Sequence, residues 1–446
     1  MLFVNIYIVR IVMVVQATLI VASIACSNKV EIKETELPAI EISSADIATS
    51  AIVPVEIAEN ESPYKILLHG GAPHSTSSIN AVDVFGDGTA QLLVSEPLAS
   101  KVIWFQNIEE HVIFTDGLNE PVRAQSIDID GDQDNDILVA DIGILLPSNE
   151  KSGRVVLLQN DGNFHFTPIV LLDGVGRIAC AEAADLDGDQ DIDIAVCVFG
   201  HEEGKLIWLE QKENFVFEEH LLDARPGAIH AFPFDPDSDG DLDLAVSLSQ
   251  DSEEIIIFRN DSYGNFTKEV IFTAPDIYYG MSGIHLSDLD RDGDPDILMT
   301  NGDIHDFELP DQIDANDYYG VSWFENDGNG KFIKHHEITR HWGAYSVRTA
   351  DLDGDEDLDL VLVGMQMERY WPEYKRQDMI WLENDGNQNF TSHDVELGIP
   401  LLMALEVADI DGDGIPEVFT GTYNYLGGSE GQRLVMFNID TTEAIK

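Results

Sequence analysis

One nine-residue pattern recurs along the chain and limits the fold more than any other feature. Asp occupies alternate positions in Asp128-Ile129-Asp130-Gly131-Asp132-Gln133-Asp134-Asn135-Asp136. The same frame begins at Asp185, Asp235, Asp288 and Asp351. A shorter version carries Asp409, Asp411 and Asp413 and ends at Glu417, and a degenerate one begins at Asp83, with Phe85 and Gln91 where acids are expected. These make seven copies, spaced 45 to 63 residues apart. A fixed period of that size is the mark of a repeat architecture, in which each unit buries its apolar surface against the next.

Each frame sits in a larger unit. An apolar residue precedes it (Ile127, Ala184, Phe234), and a short apolar stretch such as Ile137–Ala140 or Leu244–Ser247 follows. Next comes an aromatic strand, as in Ile207-Trp208-Leu209 or Ile380-Trp381-Leu382, then Asn-Asp-Gly turns at 160–162, 326–328 and 384–386. A further strand opens at Phe166, Phe217, Phe266, Phe332 or Phe390. No long segment of helical period competes with this reading. Four short strands per unit predict an all-β fold, a single seven-bladed β-propeller of four-stranded blades over residues 64–440. The last unit stops after Leu434–Phe437, and Tyr64–Leu68 resembles the strand it lacks. The expectation is therefore a ring closed by the N-terminal strand pairing into the last blade.

The flanks read differently. Residues 1–25 are almost all apolar, with Arg10 the only charge, and end Ser23-Ile24-Ala25 before Cys26. The run is short for a membrane span and suits a signal peptide, and the box resembles a bacterial lipoprotein site with Cys26 as the lipidated residue. Residues 26–63 read as a flexible tether and 441–446 as a tail. These features predict an exported protein, lipid-anchored in the cell envelope or on the surface, or secreted, whose only link to the membrane is the lipid. Cys180 and Cys197 flank the Asp185 frame; a hairpin makes them near cross-strand neighbours, leaving either a disulfide or two buried thiols.

The formal net charge is −59. Nucleic acid is a poor partner for such a surface, whereas bound cations compensate it. Calcium takes six to eight oxygen ligands, and alternate carboxylates on a tight turn supply them, with Gly at position 4 or 6 allowing the bend. The expected ligands are positions 1, 3, 5 and 9: Asp128, Asp130, Asp132 and Asp136; Asp185, Asp187, Asp189 and Asp193; Asp235, Asp237, Asp239 and Asp243; Asp288, Asp290, Asp292 and Asp296; Asp351, Asp353, Asp355 and Asp359; Asp409, Asp411, Asp413 and Glu417. About five or six calcium ions follow from six intact frames. The competing reading is a set of Asx turns that bind nothing.

Frames such as Asp185–Asp193 and Asp351–Asp359, each followed by a Trp-Leu-Glu strand, resemble FG-GAP/VCBS repeats, which build the integrin α-subunit propeller and many bacterial surface proteins. The resemblance spans about residues 64–440 and implies calcium between the first and second strands of a blade. The first repeat departs from the pattern at Phe85 and Gln91. The family is functionally broad, so membership does not name an activity.

A ligand face is expected opposite the Asp loops. Three residues before the frames stand polar groups amid apolar strands, among them Glu182, His285, Arg348 and Glu406, which converge if the first strands line a channel. Long loops at 301–320, 364–378 and 421–433 carry Tyr319, Trp371 and Tyr423, and Arg123, Arg177 and Arg225 precede frames. Such a face suits a glycan, especially an acidic one, or a surface protein, bound without catalysis. Two other readings compete: a polysaccharide lyase or dehydratase using His230, His285, His341 or Tyr345, and a structural envelope module. The sequence leaves the oligomeric state open.

Overall fold

The computed structural model describes residues 55–56, 64–70, 75–84, 88–106, 110–114, 117–163, 165–250, 252–276, 278–303, 319–341, 343–365, 377–395, 397, 401–423 and 432–439. Cys26, Trp371, the leader and the tail lie outside them, as does the tether apart from Val55–Glu56. Among the described residues no helix is long and apolar enough to cross a membrane.

The frame sets the register of each inner hairpin. The residue before position 1 faces position 9 in every copy: Val82 opposite Gln91, Ile127 opposite Asp136, Ala184 opposite Asp193, Phe234 opposite Asp243, Ser287 opposite Asp296, Ala350 opposite Asp359 and Ala408 opposite Glu417. That register puts Cys180 directly opposite Cys197, and the two are bonded, with Cα atoms 4.9 Å apart.

Six sheets are regular four-stranded antiparallel blades. In chain order their first strands are Ser78–Val82, Pro121–Ile127, Ile178–Ala184, Ala228–Phe234, Met281–Ser287 and Ala344–Ala350, which we call blades 1 to 6. The remaining sheet is a composite of both chain ends, ordered Val55–Glu56, Tyr64–Gly70, Gln432–Ile439, Glu417–Thr422, Leu402–Ala408.

This topology corrects the expectation of seven equal four-stranded blades in a ring closed by strand pairing. Among the described residues only six sheets are four-stranded blades; the composite has five strands, because Val55–Glu56, inside the stretch read as a tether, pairs with Leu67 and Leu68. Tyr64–Gly70 runs antiparallel to Gln432–Ile439, a pairing internal to that composite sheet. Among the described residues no ladder passes from one sheet to the next. Contact round the ring is made instead by side-chain packing between first strands, which meet their neighbours in turn from 78–82 to 402–408 and back. The physical reason is that each face of a blade is already apolar, so sheets stack face to face rather than edge to edge.

Burial follows from this stacking. Second strands such as Asp136–Asp141 and Asp359–Gly364 are buried at every residue, being covered on both faces. Apolar clusters lie between sheets; Ile79, Leu92 and Ile103 of blade 1 pack with Ala404, Phe419 and Met436 of the composite sheet. Each fully buried side chain of this kind stabilises the fold by about 1.5–3 kcal/mol. Fourth strands such as Thr267–Thr273 are mostly exposed, forming the outer rim.

Candidate functional site

The frames fold into one repeated loop. Position 6 has a left-handed backbone in every copy, at Gly88, Gln133, Gln190, Gly240, Gly293, Glu356 and Gly414. Position 4 is left-handed as well at Gly131, Gly188, Ser238, Arg291, Gly354 and Gly412. Two such residues in one turn explain why each loop has Gly at one or both of them. The first Asp caps the turn: Asp128, Asp185, Asp351 and Asp409 accept the N–H groups of positions 4 and 6 at 2.7–3.1 Å.

Position 9 is a pin between strands. Asp193 accepts the N–H of Gln211 at 2.8 Å and of Leu186 at 3.0 Å, and Asp359 accepts those of Asn384 at 2.8 Å and Leu352 at 3.2 Å. Gln91 keeps part of this role in the degenerate loop, accepting the Val84 N–H at 2.8 Å through a neutral amide. The pin therefore survives the loss of the negative charge. Asn side chains link successive loops: Asn260 donates to the Leu186 carbonyl at 2.6 Å and Asn326 to the Pro236 carbonyl at 2.7 Å.

Asx turns are thus present, but they do not use every carboxylate oxygen. Ligand oxygens of Asp128, Asp130 and Asp132 lie within 4.8 Å of one another, as do those of Asp185, Asp187 and Asp193, of Asp235, Asp237 and Asp239, and of Asp288, Asp290 and Asp292. Buried Asp136 and Glu417 each keep one oxygen without a hydrogen-bond partner. Burial, reinforced by neighbouring Asp charges, pushes Asp136 up to about 6 and Asp193, Asp296, Asp359 and Glu417 up to about 7. A hard-oxygen donor set with unmet negative charge fits calcium.

A second repeated cluster flanks three loops. His220 stacks on Trp208 at 4.7 Å and meets Glu210 at 2.7 Å; His393 stacks on Trp381 at 4.5 Å and meets Glu383 at 2.6 Å; His335 stacks on Trp323 at 4.4 Å and meets Glu325. The Trp-x-Glu spelling was visible in the sequence, but the His partners stand ten residues away and become neighbours only through the hairpin.

The other end of the first strands, six residues or about 20 Å from the loops, opens into a pocket of about 290 Å³. Six first strands have a register shift near their start, between Pro121 and Arg123, Ile178 and Cys180, Ala228 and His230, Met281 and Gly283, Ala344 and Ser346, and Leu402 and Ala404. The six residues passed over, Val122, Ala179, Ile229, Ser282, Tyr345 and Met403, all line the pocket. Bulges bend a strand and redirect the extra side chain. Sequence reading missed this ring; the signal available was its constant offset, six residues before each frame.

The pocket is walled by Ile142, Leu145, Pro147 and Met365, with Arg123, Arg177, Arg348, His230 and Tyr423 also in its lining. Arg123 Nη1 lies 3.3 Å from Glu182, and Arg348 Nε lies 3.6 Å from Glu406. Arg177 donates to the carbonyls of Ile144, Leu145 and Gly200. His230 Nδ1 accepts the Ile284 N–H at 3.1 Å, stacks on Phe232 at 5.0 Å and fits because Gly283 has no Cβ, which would lie 2.4 Å from the ring. Burial, with Arg123 and Arg348 nearby, drives the His230 pKa well down; burial and Arg348 do the same for His285.

The structure thus gathers Glu182, His285, Arg348 and Glu406 with Arg123 and His230 into one cluster, but only Arg348 of the first four lines the pocket. Tyr423 and Tyr345 line it too. Tyr319 is 1% exposed and does not, and His341 is buried elsewhere, burial lowering it to about 4. Most of the long aromatic loops lie outside the described residues.

An FG-GAP-like repeat family matches residues 128–196, 235–299 and 309–362. No curated protein matches the chain. Among solved structures, BBS1N in complex with ARL6DN, soaked with mercury, has a TM-score of 0.52 at 12% identity, covering 83% of this chain and 94% of that one. The lead-soaked form of the same complex gives 0.51 at 11% identity with the same coverage. Catalytically inactive virginiamycin B lyase from Staphylococcus aureus with quinupristin gives 0.48 at 10% identity, covering 84% of this chain and 99% of that one. For the two forms of the BBS1N complex the likeness at these identities is one of fold. The chain carries FG-GAP-like repeats on a β-propeller.

Proposed function

We propose that this is a calcium-stabilised, exported propeller, tethered through Cys26, that binds an acidic glycan in the channel-mouth pocket and does not transform it. The observation that carries this reading is the gathering of Arg123, Arg177 and Arg348 at one pocket of a chain with net charge −59. Guanidinium groups match carboxylate geometry, and a pocket with apolar walls and Tyr345, Tyr423 and Phe199 suits the faces of sugar rings. Calcium belongs to the opposite end, where each ion offsets carboxylates crowded in one turn and stabilises the native state by mass action.

The test is titration calorimetry of uronic-acid oligosaccharides in the presence of calcium, beside the same oligosaccharides with their carboxyls reduced. Binding of the acidic form, weakened at least about tenfold by carboxyl reduction or by Arg348→Ala, is the expected result. Equal affinity for both forms overturns the reading. Growth of ultraviolet absorbance from unsaturated products replaces it with a lyase.

A further inference from the structure

One loop has a cation paired with its ninth carboxylate. Arg259 ends the third strand of blade 4, Glu253–Arg259. Its Nη1 lies 2.7 Å from Oδ2 of Asp243, the ninth residue of the Asp235 frame, and its Nε lies 3.2 Å from Glu269. Its Nη2 donates to the Gly330 carbonyl of blade 5. The other oxygen of Asp243 accepts the Asn260 N–H at 2.7 Å. Both oxygens of this buried carboxylate are therefore occupied.

The contrast lies in the frames at Asp128 and Asp409. There Asp136 is 1% exposed and Glu417 0% exposed, and Asp136 Oδ2 and Glu417 Oε1 have no hydrogen-bond partner. They face the other acids of their loops, Asp130 and Asp132 in one case and Asp409, Asp411 and Asp413 in the other. A buried carboxylate oxygen without a donor is costly to leave unmet, so these loops call for a cation from outside. Arg259 supplies one from within.

The register position of Arg259 holds no cationic residue in the neighbouring blades. In blade 2 it is Gln159, which donates to Asp130 at 2.9 Å. In blades 3, 5 and 6 it is Glu210, Glu325 and Glu383. Each of these acids is felt by the third-position Asp of its own loop, namely Asp187, Asp290 and Asp353. The position therefore holds a guanidinium in one loop, a neutral amide in another and a carboxylate in three, of which Glu210 is paired with Lys212.

We propose that Arg259 is a built-in counter-ion that makes the Asp235 loop bind calcium at least about tenfold more weakly than the loops at Asp185, Asp288 and Asp351. The residue at this register position sets the calcium demand of each blade. Two effects act in the same direction. The guanidinium puts a cation where the ninth carboxylate meets a neutral backbone N–H in the loops at Asp185, Asp288 and Asp351, and it places a positive charge beside a divalent ion. Its reach to Gly330 also ties blade 4 to blade 5 without an ion. The inference rests on the calcium reading of the loops given above.

Calcium-stripped full-length protein, titrated with calcium and counted by native mass spectrometry at limiting calcium, tests it. Arg259→Gln gains one tight site, with affinity raised at least about tenfold, and Arg259→Lys, which keeps the charge, gains none. Glu383→Arg, which transplants the cation to the Asp351 loop, loses one. If calcium binds but Arg259→Gln has the same tight-site count and affinities as the parent, the role of Arg259 is overturned and the calcium reading stands. If neither protein binds calcium, both fall. Should Arg259→Gln fail to fold, the Glu383→Arg count decides: an unchanged number of tight sites overturns the proposal.

Discussion

If the Asp loops hold calcium, stripping it should make this protein gain stability in mild acid. Asp193, Asp296, Asp359 and Glu417 are pushed up to about 7, chiefly by burial. A carboxyl whose folded pKa exceeds its unfolded value binds its proton more tightly in the folded state. Its contribution is favourable while the folded group is protonated and is lost as pH rises through the folded pKa. Between pH 8 and pH 6 a group with a folded pKa of about 7 and an ionised unfolded state changes stability by about 1.4 kcal/mol. Four such groups give an upper limit of about 5 kcal/mol, and solvent screening and mutual coupling reduce this to about 2–4 kcal/mol. The ion-free protein should therefore be more stable at pH 6 than at pH 8.

Saturating calcium keeps the loop carboxylates ionised at both pH values and should remove this gain. What remains is the share of Glu253, buried and also raised to about 7, which accepts the N–H groups of Gly280 and Met281 far from the frames. Urea midpoints at the two pH values, with and without calcium, measure the difference. Ion-free protein that is equally stable or less stable at pH 6 refutes the reasoning, because the buried carboxylates would then not be the groups that calcium relieves.

Three further outcomes are expected. Asp359→Ala should cost about 2–4 kcal/mol even without calcium, since it orphans two buried N–H groups, whereas Asp359→Asn, like Gln91, should cost less in stability while still losing calcium; ion-free urea melts with calcium counting separate the two. Replacing both Cys180 and Cys197 by Ser opens a bridge of sequence separation 17 and should lower stability by about 3 kcal/mol, with reductant doing the same to the parent protein. Asn326→Ala removes a bond to the Pro236 carbonyl and acceptors for Gly328 and Gly330; a loss of about 2–4 kcal/mol in urea melts is expected, and a change below 0.5 kcal/mol would show that the bridge between loops carries no weight.

Local features were readable from the chain because their partners lie close in sequence. The Asp frame determines its own turn, through first-position caps and the left-handed residues at positions 4 and 6, and that turn sets the hairpin register that brings Cys180 to Cys197. The polar register three residues before six of the seven frames, Phe232 being the exception, was equally visible. What it meets was not: Glu182 of blade 3 finds Arg123 of blade 2, and Arg348 of blade 6 finds Glu406 of the composite sheet. Tyr319, placed on the ligand face by its aromatic loop, is core because the start of its strand is covered on both sides.

The sequence by itself determined the repeat, the loop chemistry and the strand alternation, since these depend on spacings of two to about ten residues. Tertiary structure alone decided that only six sheets are regular four-stranded blades while the two chain ends share a five-stranded one. It also decided that bulged residues from six first strands line one pocket, and that Arg259 satisfies the Asp243 carboxylate. The physical reason is that pairing choices at the chain ends, and the convergence of side chains on a channel, depend on how separately formed sheets pack, and apolar packing between sheets is non-directional and leaves no short-range mark in the chain.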